Sequence, residues 1–376
     1  MKILVIVPTY NEAENIVKSI EGIRRAFSKV KGHDLGIIVV DDTSPDGTAD
    51  IVRDLMQFVP NLDLVVNKHK VGLGGAYLVA MAYAFEKKGA DAVFEMDADL
   101  SHDPDKIPQM IRKLDEGYDL VLGSRYIPGG GIPQSWGIHR KFLSVIGNIV
   151  AMVLFTRFDI KDWTGGYRLL RRWVYEKFKP HVTEYRNYTF QLSSLYWALF
   201  YKAKVAEVPF HFVDRTAGKS KMPKLEYIVR TLLFIITTRA QEPKVKKFIK
   251  FGIVGFLGYI VTSLGIWILG RMNIVEVLVW SIATEAGIIS NFTWNNLWTF
   301  KEESFTKILD IVRKFMQFNL TSAGALIITT ITGTALASVF GTQYRQIYLP
   351  FIIVFLVLPY NWLMYTRIVW KQTGKK

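Results

Sequence analysis

After residue 250 this chain of 376 residues carries four apolar stretches, at 251–270, 277–300, 318–340 and 347–366, each about the 20 residues a helix needs to cross a bilayer. The first, third and fourth contain no Asp, Glu, Lys or Arg, and the second contains only Glu285. Hydrocarbon offers the backbone no hydrogen-bond partner, so stretches of this kind must satisfy their own peptide groups as helices. Most of the Asp and Glu lie in the first two thirds of the chain. This asymmetry predicts a soluble domain over residues 1–240 and a four-span membrane domain over 241–376.

Basic residues orient the bundle. Lys244, Lys246, Lys247 and Lys250 precede the first span, Lys301, Lys307, Arg313 and Lys314 join the second to the third, and Arg367, Lys371, Lys375 and Lys376 follow the fourth. The other two connections hold only Arg271 and Arg345. The positive-inside rule then predicts a multi-pass protein of the cell membrane, with the soluble domain and both termini cytoplasmic. The net charge of +14 is read as attraction to an anionic membrane surface; no basic stripe on a nucleic-acid-binding motif accompanies it. Absence of cysteine excludes disulfides and thiolate metal sites. The opening MKILVIVPTYNE is too short in its apolar run for a signal peptide and reads as a buried strand.

Two shorter apolar segments, near 140–156 and 225–240, fit helices lying in the membrane interface, with buried core helices as the other reading. The spans also look duplicated: KKFIKF before the first recurs as RKFMQF before the third, and NFTWNNLWTFK is echoed by NWLMYTRIVWK. Glu285, a carboxylate inside a span, is either a functional group or, as the favoured reading, a packing residue or a structural hydrogen-bond partner of Asn291 or Trp294.

Within the first 125 residues, β-branched runs at 2–7, 35–41, 62–66, 92–96 and 120–122 read as strands, with amphipathic segments such as 12–27 and 49–58 between them. Such alternation predicts an α/β domain with a Rossmann-like, mainly parallel sheet, whose ligands bind beyond the carboxyl ends of the strands. Polar clusters follow three of those strands: Pro8 to Glu12, Asp41 to Asp46, and Asp97-Ala98-Asp99. Asp97 and Asp99 supply hard oxygen donors suited to Mg²⁺ or Mn²⁺, which would in turn grip a diphosphate. Asp41 and Asp42 can accept hydrogen bonds from a nucleoside. Gly72, Gly74 and Gly75 either let backbone approach a ligand or make a tight turn before a helix. His102 and Asp103 are expected to cap a helix rather than bind metal. His69, His139, His181 and His211 have no metal-ligand spacing.

The ordered set PTYNE, VVDDTSPDGT, MDADLSHDP and GSRY resembles family 2 glycosyltransferases of the GT-A fold. The later TGGYRLLRR and VPFHFVDRTAGKSKM narrow the resemblance to polyprenyl- or dolichyl-phosphate mannose synthases, and the tail is similar to GtrA-like membrane domains. The resemblance implies nucleotide-sugar binding at Pro8, Tyr10, Glu12, Asp42, Asp97, Ala98 and Asp99. It implies lipid-phosphate binding at Arg125, Arg140 and Ser144, and a basic loop bearing Arg215 and Lys221 over the donor diphosphate. Catalysis would rest on Asp99, Arg125 and Arg140. The family often has Gln where Ser101 stands, which leaves the third metal ligand open.

Implied partners are GDP-mannose, a dolichyl or polyprenyl phosphate and the membrane, not nucleic acid; a homo-oligomer is compatible with the sequence. No residue separates GDP from UDP or mannose from glucose, so polyprenyl-phosphate glucose synthesis from UDP-glucose is the alternative. The QxxRW motif of processive polysaccharide synthases is absent. A reading of another class makes the membrane domain a flippase for lipid-linked sugar.

Overall fold

A computed structural model of the chain describes residues 1–184, 189–214, 224–269, 271–272, 276–341, 347 and 351–370. It divides into two compact units, Met1–Thr237 and Thr238–Lys376.

In the first unit, β1 (Lys2–Thr9), β2 (Asp34–Asp41), β3 (Leu62–Val66), β4 (Ala92–Glu95) and β5 (Leu120–Ser124) form where the β-branched runs predict them. Helices α1 (Ile16–Phe27), α2 (Thr48–Leu55), α3 (Leu73–Ala82) and α4 (Ile107–Asp115) alternate with them. Alternate residues of β1 serve two cores: Leu4 and Ile6 join one apolar cluster, while Ile3, Val5 and Val7 join the other. The sheet is therefore covered on both faces, which explains why its strands read as unbroken apolar runs.

The sheet has two further strands, β6 (Arg168–Arg171) and β7 (Val205–Pro209), in the order β3-β2-β1-β4-β6-β5-β7. Strand β6 runs antiparallel to both β4 and β5, and every other neighbouring pair is parallel. The sequence conceals β6 because RLLR is short and begins with a buried charge. The Arg168 guanidinium donates to the carbonyls of Gly165 and Gln191 and to Ser194 Oγ, which makes its burial tolerable.

Helix α5 (Ile138–Phe155) turns its apolar surface outward. Phe142, Leu143, Val145, Ile146, Ile149, Val153 and Leu154 are exposed, while the polar Asn148 is buried with Ala151 and Phe155. A core helix would do the reverse, so that reading of the segment is excluded. Helices α6 (Arg172–Val182) and α7 (Thr189–Phe200) complete one face of the sheet. In α8 (Lys224–Gln241), Phe234 and Ile235 are buried, whereas Val229, Leu232, Leu233 and Ile236 are exposed.

The second unit consists of α9 (Pro243–Leu269), α10 (Glu276–Trp294), α11 (Ile308–Phe340) and α12 (Ile353–Val369). Its outward residues include Phe256, Trp267, Leu320, Ile331 and Phe355, an apolar surface suited to lipid. Glu285 lies exposed on α10 rather than bonded to Asn291, whose buried Oδ1 has no partner among the described residues.

The two hairpins repeat each other in detail. A π-helical turn follows α10 at Asn295–Thr299, and another closes α12 at Tyr365–Val369. Each ends on an aromatic residue of similar backbone, Phe300 (φ −111°) and Trp370 (φ −104°). Those two rings stack at 4.6 Å and 9°. Phe248 meets Trp362 at 5.2 Å as Phe315 meets Phe292 at 5.3 Å; likewise Phe251–Trp362 at 5.5 Å matches Phe318–Phe292 at 5.6 Å. The echo in the sequence is thus a quasi-two-fold relation between hairpins.

Candidate active site

The carboxyl ends of β1, β2 and β4 bring the three polar clusters to one edge of the sheet, as the topology requires. Asp41 is almost fully buried and accepts from Thr9 Oγ1 (2.9 Å), the Ser44 amide (2.8 Å) and Ser44 Oγ (2.6 Å). Asp42 accepts from Asn67 Nδ2 (3.0 Å) and from the amides of Val71 (2.8 Å) and Gly72 (2.9 Å). Both carboxylates therefore act first as struts that hold the turns around the edge. Gly72 has φ +79°, a conformation that disfavours side chains, so this glycine serves the turn into α3. Tyr10 projects beyond β1, with Lys70 Nζ 3.4 Å from its ring centroid. The Glu12 amide donates to Thr48 Oγ1, and a Glu12 carboxylate oxygen accepts from Asn15.

Beyond β4 the chain turns sharply through Asp97 to Asp99, and Leu100 adopts φ +65°. An apolar side chain held in that region marks stored backbone strain, which is commonest at functional loops. Asp97 is about one third exposed (31%), Asp99 only 4%. Tyr77 donates to Asp97 Oδ1 (3.2 Å), the Asp97 amide donates to His102 Nδ1 (3.0 Å), and the Ser101 amide donates to Asp99 Oδ1 (3.1 Å). Ser101 Oγ is buried without a hydrogen-bond partner among the described residues. No group of three or more His, Cys, Asp or Glu that could hold a metal occurs among the described residues. The residues present fit a divalent cation shared with a ligand: two carboxylates and an uncommitted buried hydroxyl, all oxygen donors, with the remaining positions left for a diphosphate.

His102 does not cap a helix. Asp103 does, accepting the Asp105 amide at 2.9 Å. His102 is 2% exposed and lies flat on Tyr167, 4.9 Å between centroids, and burial lowers its pKa. Two residues before Asp97, burial raises the Glu95 pKa to about 7, opposed by the charge of Arg168.

Arg125 follows β5 and pairs bidentately with Asp162, through Nε (2.8 Å) and Nη2 (2.7 Å), while its amide also donates to Asp162 Oδ2 (3.0 Å). Nη2 donates further to Thr164 Oγ1 (2.8 Å). The two side chains are 8% and 0% exposed. Burial would raise the Asp162 carboxyl, but the charge and hydrogen bonds of Arg125 outweigh it and hold the group below the usual range. Ser144 Oγ lies 2.6 Å from the Tyr126 hydroxyl. Arg140, half exposed, stacks 3.8 Å from the Trp136 ring centroid and donates to Asp214 Oδ1 at 3.4 Å. Phe212 bridges these groups: it contacts Trp136 (5.6 Å) and His102 (6.2 Å), and Arg125 lies 5.8 Å from its ring. The aspartate pair, Arg125 and Arg140 are thus joined through one aromatic cluster. Arg215 and Lys221 lie outside the described residues.

Sequence reasoning missed Asp162, Tyr77 and Trp136. Asp162 is an isolated acid, and the only available signal was its position just before the TGG of the family-like segment. The other two read as ordinary aromatics, because their role arises only from the fold.

Residues 4–179 match Glycosyl transferase family 2, and residues 250–370 match the GtrA/DPMS transmembrane domain. Over 316 residues the chain is 33% identical to a dolichol-phosphate mannosyltransferase of Pyrococcus furiosus, covering 84% of this chain and 86% of that one. It is 38% identical to a polyprenol monophosphomannose synthase of Mycolicibacterium smegmatis over 58% of this chain and 80% of that protein. An undecaprenyl-phosphate mannosyltransferase of Micrococcus luteus is 34% identical over 59% of this chain and 88% of its own length.

Proposed function

Because the chain belongs to the polyprenyl- and dolichyl-phosphate mannosyltransferases of glycosyltransferase family 2, with a GtrA-like membrane domain, we propose that it transfers mannose from GDP-mannose to a polyprenyl phosphate. The observation that carries this reading is the pairing of Asp97 and Asp99 at the end of β4 with Arg125 and Arg140 across one aromatic cluster. Such a site has acids for a metal-bound diphosphate and cations for a second anion.

The acceptor is ionised at neutral pH, so no side chain has to remove a proton to create a nucleophile. A phosphate oxygen attacks the anomeric carbon, the bond from that carbon to the GDP oxygen breaks, and the electron pair leaves with GDP. Attack from the face opposite the leaving group inverts the centre, so an α-linked donor gives a β-linked lipid. Arg140 lies over Trp136 with an exposed guanidinium, suited to a lipid phosphate. Arg125 is braced by Asp162 at the same cluster, and Ser144 and Tyr126 supply hydroxyls beside it. Arg215 and Lys221 would close over the donor. Asp97 and Asp99 would hold Mg²⁺ or Mn²⁺, which when bound neutralises charge on the departing diphosphate. The remaining task of the protein is to hold two anions in line and exclude water.

The exposed apolar faces of α5 and α8 support seating the catalytic domain (residues 1–240) on the membrane, where a polyprenyl chain stays in lipid while its phosphate reaches the site. With the membrane domain (241–376), the flanking Lys and Arg favour the cytoplasmic side.

The donor is tested by supplying the detergent-solubilised chain with polyprenyl phosphate, Mn²⁺ and equal GDP-mannose and UDP-glucose, each bearing a different radiolabel. Mannose label in the organic phase, in at least tenfold excess, is the expected outcome. Glucose label in excess would transfer the assignment to polyprenyl-phosphate glucose synthesis.

A further inference from the structure

Two buried side chains hold Asp97 from different parts of the chain. Tyr77, on α3, packs its ring in the core, stacked on Phe190 at 6.1 Å and 12°, and places only its hydroxyl at the sheet edge, donating to Asp97 Oδ1 at 3.2 Å. A phenol keeps its proton at neutral pH, so the hydroxyl is a donor to this carboxylate. His102 holds the main chain of the same residue by accepting the Asp97 amide at Nδ1, 3.0 Å away. A nitrogen that accepts carries no proton, so Nε2 is the protonated nitrogen, and it lies 3.8 Å from Asp97 Oδ2. The imidazole is itself fixed, flat on Tyr167 and edge-on to Phe210 at 5.8 Å, while the Tyr167 hydroxyl donates to the Asp103 carbonyl at 3.0 Å.

An aspartate one third exposed at a loop would otherwise rotate about two side-chain bonds and lose that freedom on binding a cation. Restraining both the amide and one carboxylate oxygen removes that freedom beforehand, from a layer that does not itself touch the ion. We infer that Tyr77 and His102 are positioning residues, which orient Asp97 for a divalent cation while making no contact with substrate. The inference rests on reading Asp97 and Asp99 as the cation's ligands, and the test separates the two.

The test titrates Mn²⁺ into the detergent-solubilised full chain in the presence of GDP, following free Mn²⁺ by electron paramagnetic resonance. Tyr77→Phe deletes the hydroxyl and keeps the ring. His102→Leu deletes the acceptor, and His102→Asn returns an acceptor oxygen near the position of Nδ1. The expected result is a Mn²⁺ dissociation constant about 10- to 100-fold weaker for Tyr77→Phe and His102→Leu. Partial recovery is expected in His102→Asn. The turnover of Tyr77→Phe should return towards the wild-type value at saturating Mn²⁺, because the defect lies in holding the cation rather than in the reacting groups. Wild-type-like titrations for both Tyr77→Phe and His102→Leu, with melting curves confirming folded protein, would overturn the inference and leave the cation site standing. Absence of Mn²⁺ binding by the wild-type chain would overturn both.

Discussion

Asp99→Asn lowers mannose transfer to polyprenyl phosphate by about 10²- to 10³-fold and leaves the melting temperature near that of the wild-type chain. The substitution keeps shape and volume, and the Asn side-chain oxygen still accepts the Ser101 amide that now bonds Asp99 Oδ1 at 3.1 Å. Only the negative charge is lost, at a residue 4% exposed, where water screens charge poorly. A carboxylate proposed to hold the divalent cation under a departing diphosphate depends on that charge, and the expected loss corresponds to about 2.7–4 kcal/mol of transition-state stabilisation. Initial rates at saturating donor and acceptor, beside a thermal melt, measure both halves of the prediction. A loss smaller than tenfold would mean that Asp99 shapes the loop without taking part in transfer.

Asp162→Ala produces a large loss of stability in the first unit. Asp162 accepts the Arg125 amide, Arg125 Nε and Nη2, and the Gly165 amide at 2.9 Å, so its removal takes the counter-charge from a guanidinium that is 8% exposed and leaves it the Thr164 hydroxyl. Breaking a buried ion pair from one side costs about 3–5 kcal/mol, which for a unit of this size lowers the melting temperature by roughly 6–20 °C. The double variant Arg125→Met with Asp162→Leu replaces the pair by apolar side chains and should regain most of that stability. It should not regain transfer, because Arg125 belongs to the cluster proposed to receive the lipid phosphate. Calorimetry on the three proteins, with rates measured well below each transition, separates the two roles. A melt of Asp162→Ala within 2 °C of wild type would show that water reaches Arg125 and screens it.

Legibility in the sequence followed physical redundancy. The first five strands could be read because a sheet covered on both faces demands unbroken β-branched runs, and Ile3 to Val7 or Ile37 to Val40 leave little choice. Strand β6 could not, since four residues carry too little pattern and Arg168 is neutralised by partners more than 20 residues away, such as the Gln191 carbonyl and Ser194. The helical hairpins of the second unit were legible both as long apolar stretches and as a duplication, because apolar length and aromatic spacing are local properties. At the site, Asp97 and Asp99 announced themselves by spacing. Asp41 and Asp42 announced themselves equally well, yet their carboxylates are largely occupied in tying Ser44, Asn67, Val71 and Gly72 to the edge. Asp162, Tyr77 and the acceptor role of His102 were hidden, because each acquires meaning only from a partner that the fold delivers.

The most direct test of the account is whether breakdown of the donor depends on the lipid phosphate. GDP release and organic-phase label are followed together, with GDP-mannose and Mn²⁺ supplied with and without polyprenyl phosphate. Stoichiometric GDP and lipid-linked mannose, both requiring the polyprenyl phosphate, are the predicted result. GDP release at the same rate without it, or label confined to the aqueous phase, would contradict the assignment of Arg125 and Arg140 to a lipid phosphate and with it the proposed reaction.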